Sequence, residues 1–299
     1  MSELKKIDPL SHSKTASYIN CERKFSFNYL ESIKEPSGIH AAVGTFVHSV
    51  IEEFYKNEMS KNPYFEWKNS SNYLFEVQES LWEKHQKYLT YLYEKEKVSI
   101  NNSFQSLEEW INQLIINYVE LEDWIQNESN LSNLKFSQEE KFIKNLKINN
   151  ELYVKKELND KEVSFVLRGY IDRLQESETG KKIIIDIKTG KPPSSLDSEK
   201  ADQIKSYALL YGEENVEEGY VYFLGEKNIK PEKRIFQVEI KDIDDNKKYY
   251  LKTFGSMSRK SEYDKENYAQ DFFTDVWKAK MNPFCNWCFY KNGCPEWAK

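Results

Sequence analysis

Two apolar segments in the middle of the chain carry charged residues that buried strands normally exclude. Residues 163–174 and 182–187 alternate or run apolar, as buried strands do, and the polar stretch between them is typical of a turn. Asp172 lies at the end of the first predicted strand and Asp186 in the second. Lys188 follows two residues later, on the same strand face as Asp186. Because buried charges are costly unless they are paired or bound to a metal, this pattern indicates a metal site.

Helical and strand periodicities alternate along the rest of the chain and predict an α/β protein. Helices are predicted at 11–30, from 41 onward, throughout 64–126, at 202–211 and across most of 242–280. Further strands are predicted at 135–148, 153–158, 219–224 and 234–240. The strands between 135 and 187 read as an antiparallel meander, and the helices between 64 and 126 as a helical insertion.

Composition narrows the class of protein only slightly. Aromatic residues make up 15% of the 299 residues, which excludes a generic disordered chain because so many rings require burial. The net charge of −6 argues mildly against a nucleic-acid-binding protein, although a local basic groove can coexist with an acidic remainder. The first nine residues lack an apolar signal core, and no apolar run is long enough to span a membrane. We therefore expect a cytoplasmic protein with no membrane partner.

The chemistry of the charged strands suits phosphodiester hydrolysis. Two aspartates are hard oxygen ligands for Mg²⁺ or Mn²⁺, and a nearby lysine can orient a water molecule and stabilise negative charge. The Asp186-Ile-Lys188 tripeptide alone fits a structural salt bridge better. Gln203 and Tyr207, which lie one helical turn apart, and the Gly-x-x-Asp sequence ending at Asp172 shift the interpretation towards an active site. His48 lies beside an apolar helical stripe, where a histidine is usually a core residue.

The order Gly-x-x-Asp, Asp-x-Lys and Gln-x-x-x-Tyr, with Gly44-x-x-x-His48 upstream, resembles the RecB-type nuclease domain of the PD-(D/E)XK superfamily. The resemblance implies a restriction-endonuclease-like core with a central mixed β-sheet flanked by helices. It implies a metal held by His48, Asp172, Asp186 and the Ile187 carbonyl. It implies a catalytic set of Asp172, Asp186, Lys188, Gln203 and Tyr207. Glu139 or Glu140 aligns loosely with a further acidic position.

The four cysteines point to a second metal site. Cys285, Cys288 and Cys294 form a Cys-x2-Cys-x5-Cys group, and Cys21 is far upstream. Taken alone, Cys21 fits a small buried core residue. A zinc site usually pairs two Cys-x2-Cys knuckles, whereas this spacing resembles the iron–sulfur nucleases that include Cas4, AddB and eukaryotic exonuclease 5. That resemblance implies a [4Fe–4S] cluster, with zinc as the alternative. The aromatic residues around the C-terminal cysteines are predicted to shield the cluster from water, namely Phe284, Trp287, Phe289 and Tyr290.

These resemblances divide the chain into four predicted segments. Residues 1–60 would form the N-terminal helices of the nuclease domain, 61–130 the helical insertion, 131–280 the nuclease core and 281–299 the iron–sulfur segment. The implied activity is that of a metal-dependent DNA exonuclease acting on single strands or duplex ends. Two alternatives are a Cas4-type nuclease that trims DNA for an integrase and a non-catalytic DNA-binding scaffold. The polarity of cleavage stays open between 5′ and 3′.

The partners follow from the implied activity. DNA is the main one, and a helicase, an integrase or a single-strand-binding protein are the protein classes that fit. Basic residues near the motifs are candidate DNA contacts because cations neutralise phosphates. These candidates are Lys14, Arg23, Arg168, Arg173 and Lys191.

Overall fold

The computed structural model describes residues 7, 9–61, 67–96, 104–128, 140–147, 164–176, 180–192, 198–211, 216–225, 231–267, 276–294 and 296–297. Its α-helices are α1 (His12–Asn20), α2 (Glu22–Phe25), α3 (Ile39–Lys61), α4 (Trp67–Glu96), α5 (Leu107–Glu128), α6 (Ser198–Tyr211) and α7 (Ile240–Asn267). Its strands are β1 (Glu140–Lys147), β2 (Ser164–Ile171), β3 (Arg173–Glu176), β4 (Lys182–Lys188), β5 (Val216–Phe223) and β6 (Glu232–Gln237). The strand predicted at 153–158 lies outside the described residues, as do Glu139 and the side chain of Glu140.

The chain forms two compact units, each assembled from separate segments. Unit 1 consists of Met1–Pro36, Lys141–Gly169 and Lys241–Lys299. Unit 2 consists of Ser37–Glu140 and Tyr170–Ile240. This division differs from the four predicted segments, because the helices between 61 and 130 share a hydrophobic core with strands of unit 2. No helix within the described ranges is long and apolar enough to cross a membrane.

Unit 2 is built on a mixed four-stranded sheet in the order β3-β4-β5-β6. The β3–β4 and β5–β6 pairs are antiparallel, and the β4–β5 pair is parallel. The parallel pair requires a crossover between its strands, and α6 provides it. The predicted mixed sheet flanked by helices is therefore confirmed.

The two faces of this sheet are covered by different helices. Ile183, Ile185 and Ile187 alternate along β4 and join the core that is lined by α3, α4 and α5. Asp186 lies on the opposite face of the strand, and its carboxylate accepts a hydrogen bond from Gln203 of α6. On the α6 side, β5 carries Gly219. A Cβ atom added there would lie 2.0 Å from Cγ2 of Ile204 in α6, so this packing requires glycine.

In unit 1 the first predicted helix is interrupted at Cys21. The helix α1 ends at Asn20, and Cys21 is extended, with φ −162° and ψ 108°. Its sulfur then accepts a hydrogen bond from the Lys24 amide and caps α2. The chain continues as a single π-helical turn, Ser26–Leu30. The continuous helix predicted for 11–30 is therefore wrong, and the break turns Cys21 out of the helical repeat.

The C-terminal part of unit 1 begins with α7, which agrees with the prediction that 242–280 are mainly helical. Among the later residues that the structure describes, 276–282 are turns and irregular backbone. Two short 3-10 helices, Pro283–Trp287 and Lys291–Gly293, then carry the cysteine segment. Leu10 forms a parallel bridge to Leu167 of β2, which fixes the start of the chain within this unit.

Candidate active site

Asp186 and Lys188 lie on one face at the end of β4, as the period-two pattern predicts. The Asp186 side chain is 2% exposed, and Lys188 Nζ lies 2.7 Å from its Oδ2 atom. This contact is an ion pair, and Oδ2 accepts no hydrogen bond from any other described residue. A buried carboxylate oxygen is thus balanced by a neighbouring charge.

Asp172 occupies the single position between β2 and β3. Its Oδ2 atom accepts a hydrogen bond from the Ile187 amide at 2.7 Å, which ties the carboxylate to the end of β4. Its Oδ1 atom lies 3.5 Å from Nδ1 of His48 on α3. The structure therefore brings two of the predicted metal ligands, His48 and Ile187, next to a third, Asp172.

Gln203 holds the Asp186 carboxylate from the neighbouring helix. Its Nε2 atom donates to Asp186 Oδ1 at 3.1 Å and to the Tyr207 hydroxyl at 2.8 Å. Both residues lie on α6, one turn apart, as their spacing predicts. Gln203 therefore fixes one oxygen of the Asp186 carboxylate, and Lys188 faces the other.

The helix that carries His48 approaches the end of β4 closely. A Cβ atom on Gly44 would lie 3.1 Å from Oγ1 of Thr189, the residue that follows Lys188. That distance is shorter than an ordinary contact, so with a larger residue at 44 the Thr189 hydroxyl has to move by a few tenths of an ångström. Gly44 lies one helical turn before His48.

Burial raises the pKa of Asp172. The charge of His48 lowers this pKa and the charge of Asp186 raises it, and the net direction is upward. A raised pKa is expected where two carboxylates share a site, since their negative charges repel. A divalent cation between them removes that repulsion, so the donor set suits a hard metal ion. No group of three or more acidic, histidine or cysteine side chains in the described ranges already has the geometry to hold one metal ion. Asp186 faces Lys188 instead.

A buried ion pair lies directly beside Asp172. Arg173 donates to Glu122 of α5 through both guanidinium arms, one of them at 2.9 Å, and the side chains are 3% and 0% exposed. The same guanidinium reaches the Tyr55 and Tyr118 hydroxyls at 3.4 and 3.5 Å. Burial raises the pKa of both tyrosines, so their hydroxyls stay neutral.

Glu122 was missed by the sequence reasoning, although a signal existed. It follows Tyr118 by one turn and continues the apolar stripe of α5, so a charge there has to find a buried partner. That partner is Arg173. The prediction that Arg173 contacts DNA is therefore wrong, because the side chain is committed to the protein interior.

Two more of the predicted DNA contacts are buried in unit 1. Lys14 Nζ donates to the Ile7 carbonyl at 2.6 Å, and Arg23 Nη1 donates to Glu31 at 2.6 Å. Each is 7% exposed, so both predictions are wrong. Arg168 is half-buried and Lys191 is exposed, and these two stay candidates.

The four cysteines of unit 1 line one small cavity. Cys21 enters it from the break between α1 and α2, and the other three enter from the two 3-10 helices. Two sulfurs accept main-chain hydrogen bonds, Cys21 from Lys24 at 3.5 Å and Cys285 from Asn282 at 3.3 Å. Such bonds tune iron–sulfur clusters, whose thiolates are spread over several irons. Thiolates are the ligands of such clusters, although no three side chains of this kind in the described ranges have the geometry to hold one metal ion.

The predicted aromatic shield around these cysteines is mostly absent. Phe284 and Trp287 are 75% and 78% exposed, and Phe289 is 49% exposed. Only Tyr290 is buried, stacked on Phe27 with ring centroids 4.9 Å apart and donating to the Ile33 carbonyl. Three large rings therefore face solvent beside the cysteine cavity.

Comparison with known proteins gives one family. The family model of the PD-(D/E)XK nuclease superfamily matches residues 9–295. No curated protein sequence matches significantly. Among solved structures, the crystal structure of SSO0001 is similar over 72% of this chain and 79% of that chain, at 14% identity and a TM-score of 0.36. A TM-score this low supports no conclusion about the fold or the activity.

Proposed function

Because the chain belongs to the PD-(D/E)XK nuclease superfamily, we propose that it is a DNA exonuclease whose active site is formed by Asp172, Asp186 and Lys188. The family makes it a metal-dependent nuclease. One observation carries the assignment of the site: a buried Asp186 oxygen accepts no hydrogen bond from the described residues and lies 2.7 Å from the Lys188 ammonium. Carboxylate oxygens are the ligands that Mg²⁺ and Mn²⁺ prefer in proteins.

Each residue has a separate task in the proposed reaction. Asp172 and Asp186, with the imidazole of His48 and the Ile187 carbonyl, would hold the divalent ion. When bound, that ion supplies an activated water and stabilises charge on the phosphate.

The remaining groups orient the two carboxylates and hold a proton beside them. The Ile187 amide fixes one oxygen of Asp172, and Gln203 fixes one oxygen of Asp186, so each carboxylate has a defined orientation. The Lys188 ammonium holds a proton next to these oxygens and places positive charge where a phosphate oxygen would approach. Tyr207 accepts from Gln203 and keeps that amide in place.

The test compares cleavage of end-labelled single-stranded DNA by the wild type, Asp186→Ala and Lys188→Ala, with Mg²⁺ or Mn²⁺. We expect a loss of at least about 100-fold in each variant, the usual effect of removing a group that moves protons or stabilises charge. Asp245→Ala and Lys248→Ala are matched controls, because this pair is exposed on α7. Undiminished cleavage by both active-site variants refutes the assignment.

A second substrate separates exonuclease from endonuclease. Circular single-stranded DNA has no end, so an exonuclease leaves it intact while it degrades the linear form. Equal cleavage of both forms would overturn the exonuclease proposal and leave the nuclease assignment standing. Labels at either end of the linear strand report the polarity in the same experiment.

We also propose that the cysteine cavity holds a [4Fe–4S] cluster. All four thiols line one cavity, and two of them already accept main-chain hydrogen bonds. The expected result is a brown protein with about four irons and as many acid-labile sulfides per chain. A colourless, zinc-containing protein obtained without oxygen would overturn this part alone.

A further inference from the structure

Unit 1 contains a cationic cavity of about 860 Å³ that no role described above uses. Arg259, Lys260, Lys278 and Lys280 line it, together with one carboxylate, Glu22. Glu22 pairs with Lys260 and accepts from the Lys278 amide at 3.2 Å. The lining therefore carries four cationic side chains and one carboxylate, in a chain whose net charge is −6. Such a concentration favours an anionic ligand.

The exposed aromatic rings lie directly after this cavity in the chain. Phe284 and Trp287 belong to the 3-10 helix Pro283–Trp287, whose start is capped by Asn282. The side-chain Nδ2 atom of Asn282 also donates to the Asn20 carbonyl at 3.4 Å, which ties the segment to the end of α1. The rings are therefore presented to solvent from a backbone that is held in place. Large exposed rings on a fixed backbone are typical of a binding surface.

The cations and the rings lie close together along the chain. Ala279 and Lys280 line both the cationic cavity and the cysteine cavity. Lys280 precedes Phe284 by four residues, a span of at most about 14 Å. We name the group Lys278, Lys280, Phe284 and Trp287 the strand surface.

We propose that the strand surface binds single-stranded DNA, with phosphates at the lysines and bases stacked on the two rings. This inference rests on the proposed function for its choice of DNA. Aromatic stacking combined with cations is how proteins grip single strands without reading sequence. A duplex hides its base faces, so it would use the lysines and gain little from Phe284 and Trp287. A protein partner for the rings alone would leave the positive charge unexplained.

The experiment measures binding apart from cleavage. A fluorescein-labelled oligothymidylate of about 20 nucleotides, longer than one typical binding site, is titrated with the full chain by fluorescence anisotropy, without added divalent metal. Phe284→Ala and Trp287→Ala should each weaken binding roughly 5- to 150-fold, the range for loss of one stacked base. The double variant Lys278→Ala/Lys280→Ala should reduce the slope of log affinity against log salt by about 0.7 for each phosphate that the protein no longer neutralises.

Matched controls come from α4 in unit 2. Tyr88 and Tyr91 are 53% and 62% exposed, and Lys84 and Lys87 are exposed on the same helix. Alanine at any of these positions should leave the affinity for the oligonucleotide unchanged. Iron content and circular dichroism of each variant show that the cysteine segment and the fold are retained.

The outcomes separate this inference from the proposed nuclease activity. If ring and lysine variants bind the oligonucleotide as tightly as the wild type, the inference is refuted, even where cleavage is normal. If the wild type binds but never cleaves, and the variants bind weakly, the strand surface stands and the nuclease assignment fails. If the ring variants lose affinity for duplex DNA as much as for the single strand, the single-strand proposal is wrong. It is also wrong if these variants lose only self-association, measured by sedimentation.

Discussion

Removal of Glu122 gives the sharpest test of how unit 2 is held together. Glu122→Ala leaves the Arg173 guanidinium, which is 3% exposed, without its counterion. The hydroxyls of Tyr55 and Tyr118, at 3.4 and 3.5 Å, are neutral and cannot replace a carboxylate. The guanidinium must then stay charged in an apolar surrounding, or the α5–β3 contact must open to admit water.

The cost is large compared with the stability of a domain. Breaking a buried pair by removing one partner costs about 3–5 kcal/mol. A natural domain has only about 5–15 kcal/mol in total. Replacing both partners with apolar residues of similar volume removes the uncompensated charge and is often neutral. We therefore expect Glu122→Leu/Arg173→Met to recover most of the stability that Glu122→Ala loses.

Urea unfolding followed by circular dichroism measures the free energy of unfolding of each variant. Glu52→Ala is the control, because Glu52 pairs with Lys56 on α3 with both side chains partly exposed. Its loss should cost no more than about 0.5 kcal/mol. The reasoning fails if Glu122→Ala costs as little as Glu52→Ala, or if the double variant is less stable than Glu122→Ala.

Three other predictions concern packing, protons and the cofactor. Gly219→Ala should lower the free energy of unfolding in urea by about 1–3 kcal/mol, because the added Cβ clashes with Ile204. The double variant Gly219→Ala/Ile204→Ala should relieve that clash. An unchanged unfolding midpoint for Gly219→Ala contradicts the packing. Because burial raises the pKa of Asp172, its carboxyl group keeps its proton to a higher pH than an exposed aspartate does when no metal is bound. Calorimetry should therefore show the Mn²⁺ affinity falling about tenfold for each pH unit below that pKa, and a flat pH profile would exclude this competition. Cys21→Ser should lower the iron content of the protein, whereas full retention of iron would remove Cys21 from the cluster.

The sequence predicted well which residues share a strand face at the site, because the alternation of side chains depends only on neighbouring residues of one strand. The range 182–187 differs from β4 by one residue, and Asp186 and Lys188 share a face as expected. The antiparallel β3–β4 pair was also predicted. The parallel direction of the β4–β5 pair does not follow from the pattern, since alternation is the same whichever way the neighbouring strand runs.

Helical periodicity predicted neither the break in a helix nor the residue that a helical side chain contacts. The recurrence of Tyr18, Cys21 and Phe25 fits a continuous helix, yet the chain is extended at Cys21. Periodicity records the spacing of side chains and is insensitive to a single residue that leaves the helix. Likewise, the apolar stripe of α5 predicts burial but does not reveal that Glu122 meets Arg173, because that contact joins residues 51 positions apart.

The discontinuity of unit 1 has a consequence for synthesis of the chain on the ribosome. Domains fold as units while the chain emerges from its N-terminus. The last residue of unit 2 is Ile240, whereas unit 1 needs residues from Lys241 onward to complete what Met1–Pro36 begins. The buried rings of the first segment, including Phe25, must wait for Trp277 before they can pack. A nascent chain ending at Ile240 therefore holds every residue of the proposed active site and none of the three C-terminal cysteines.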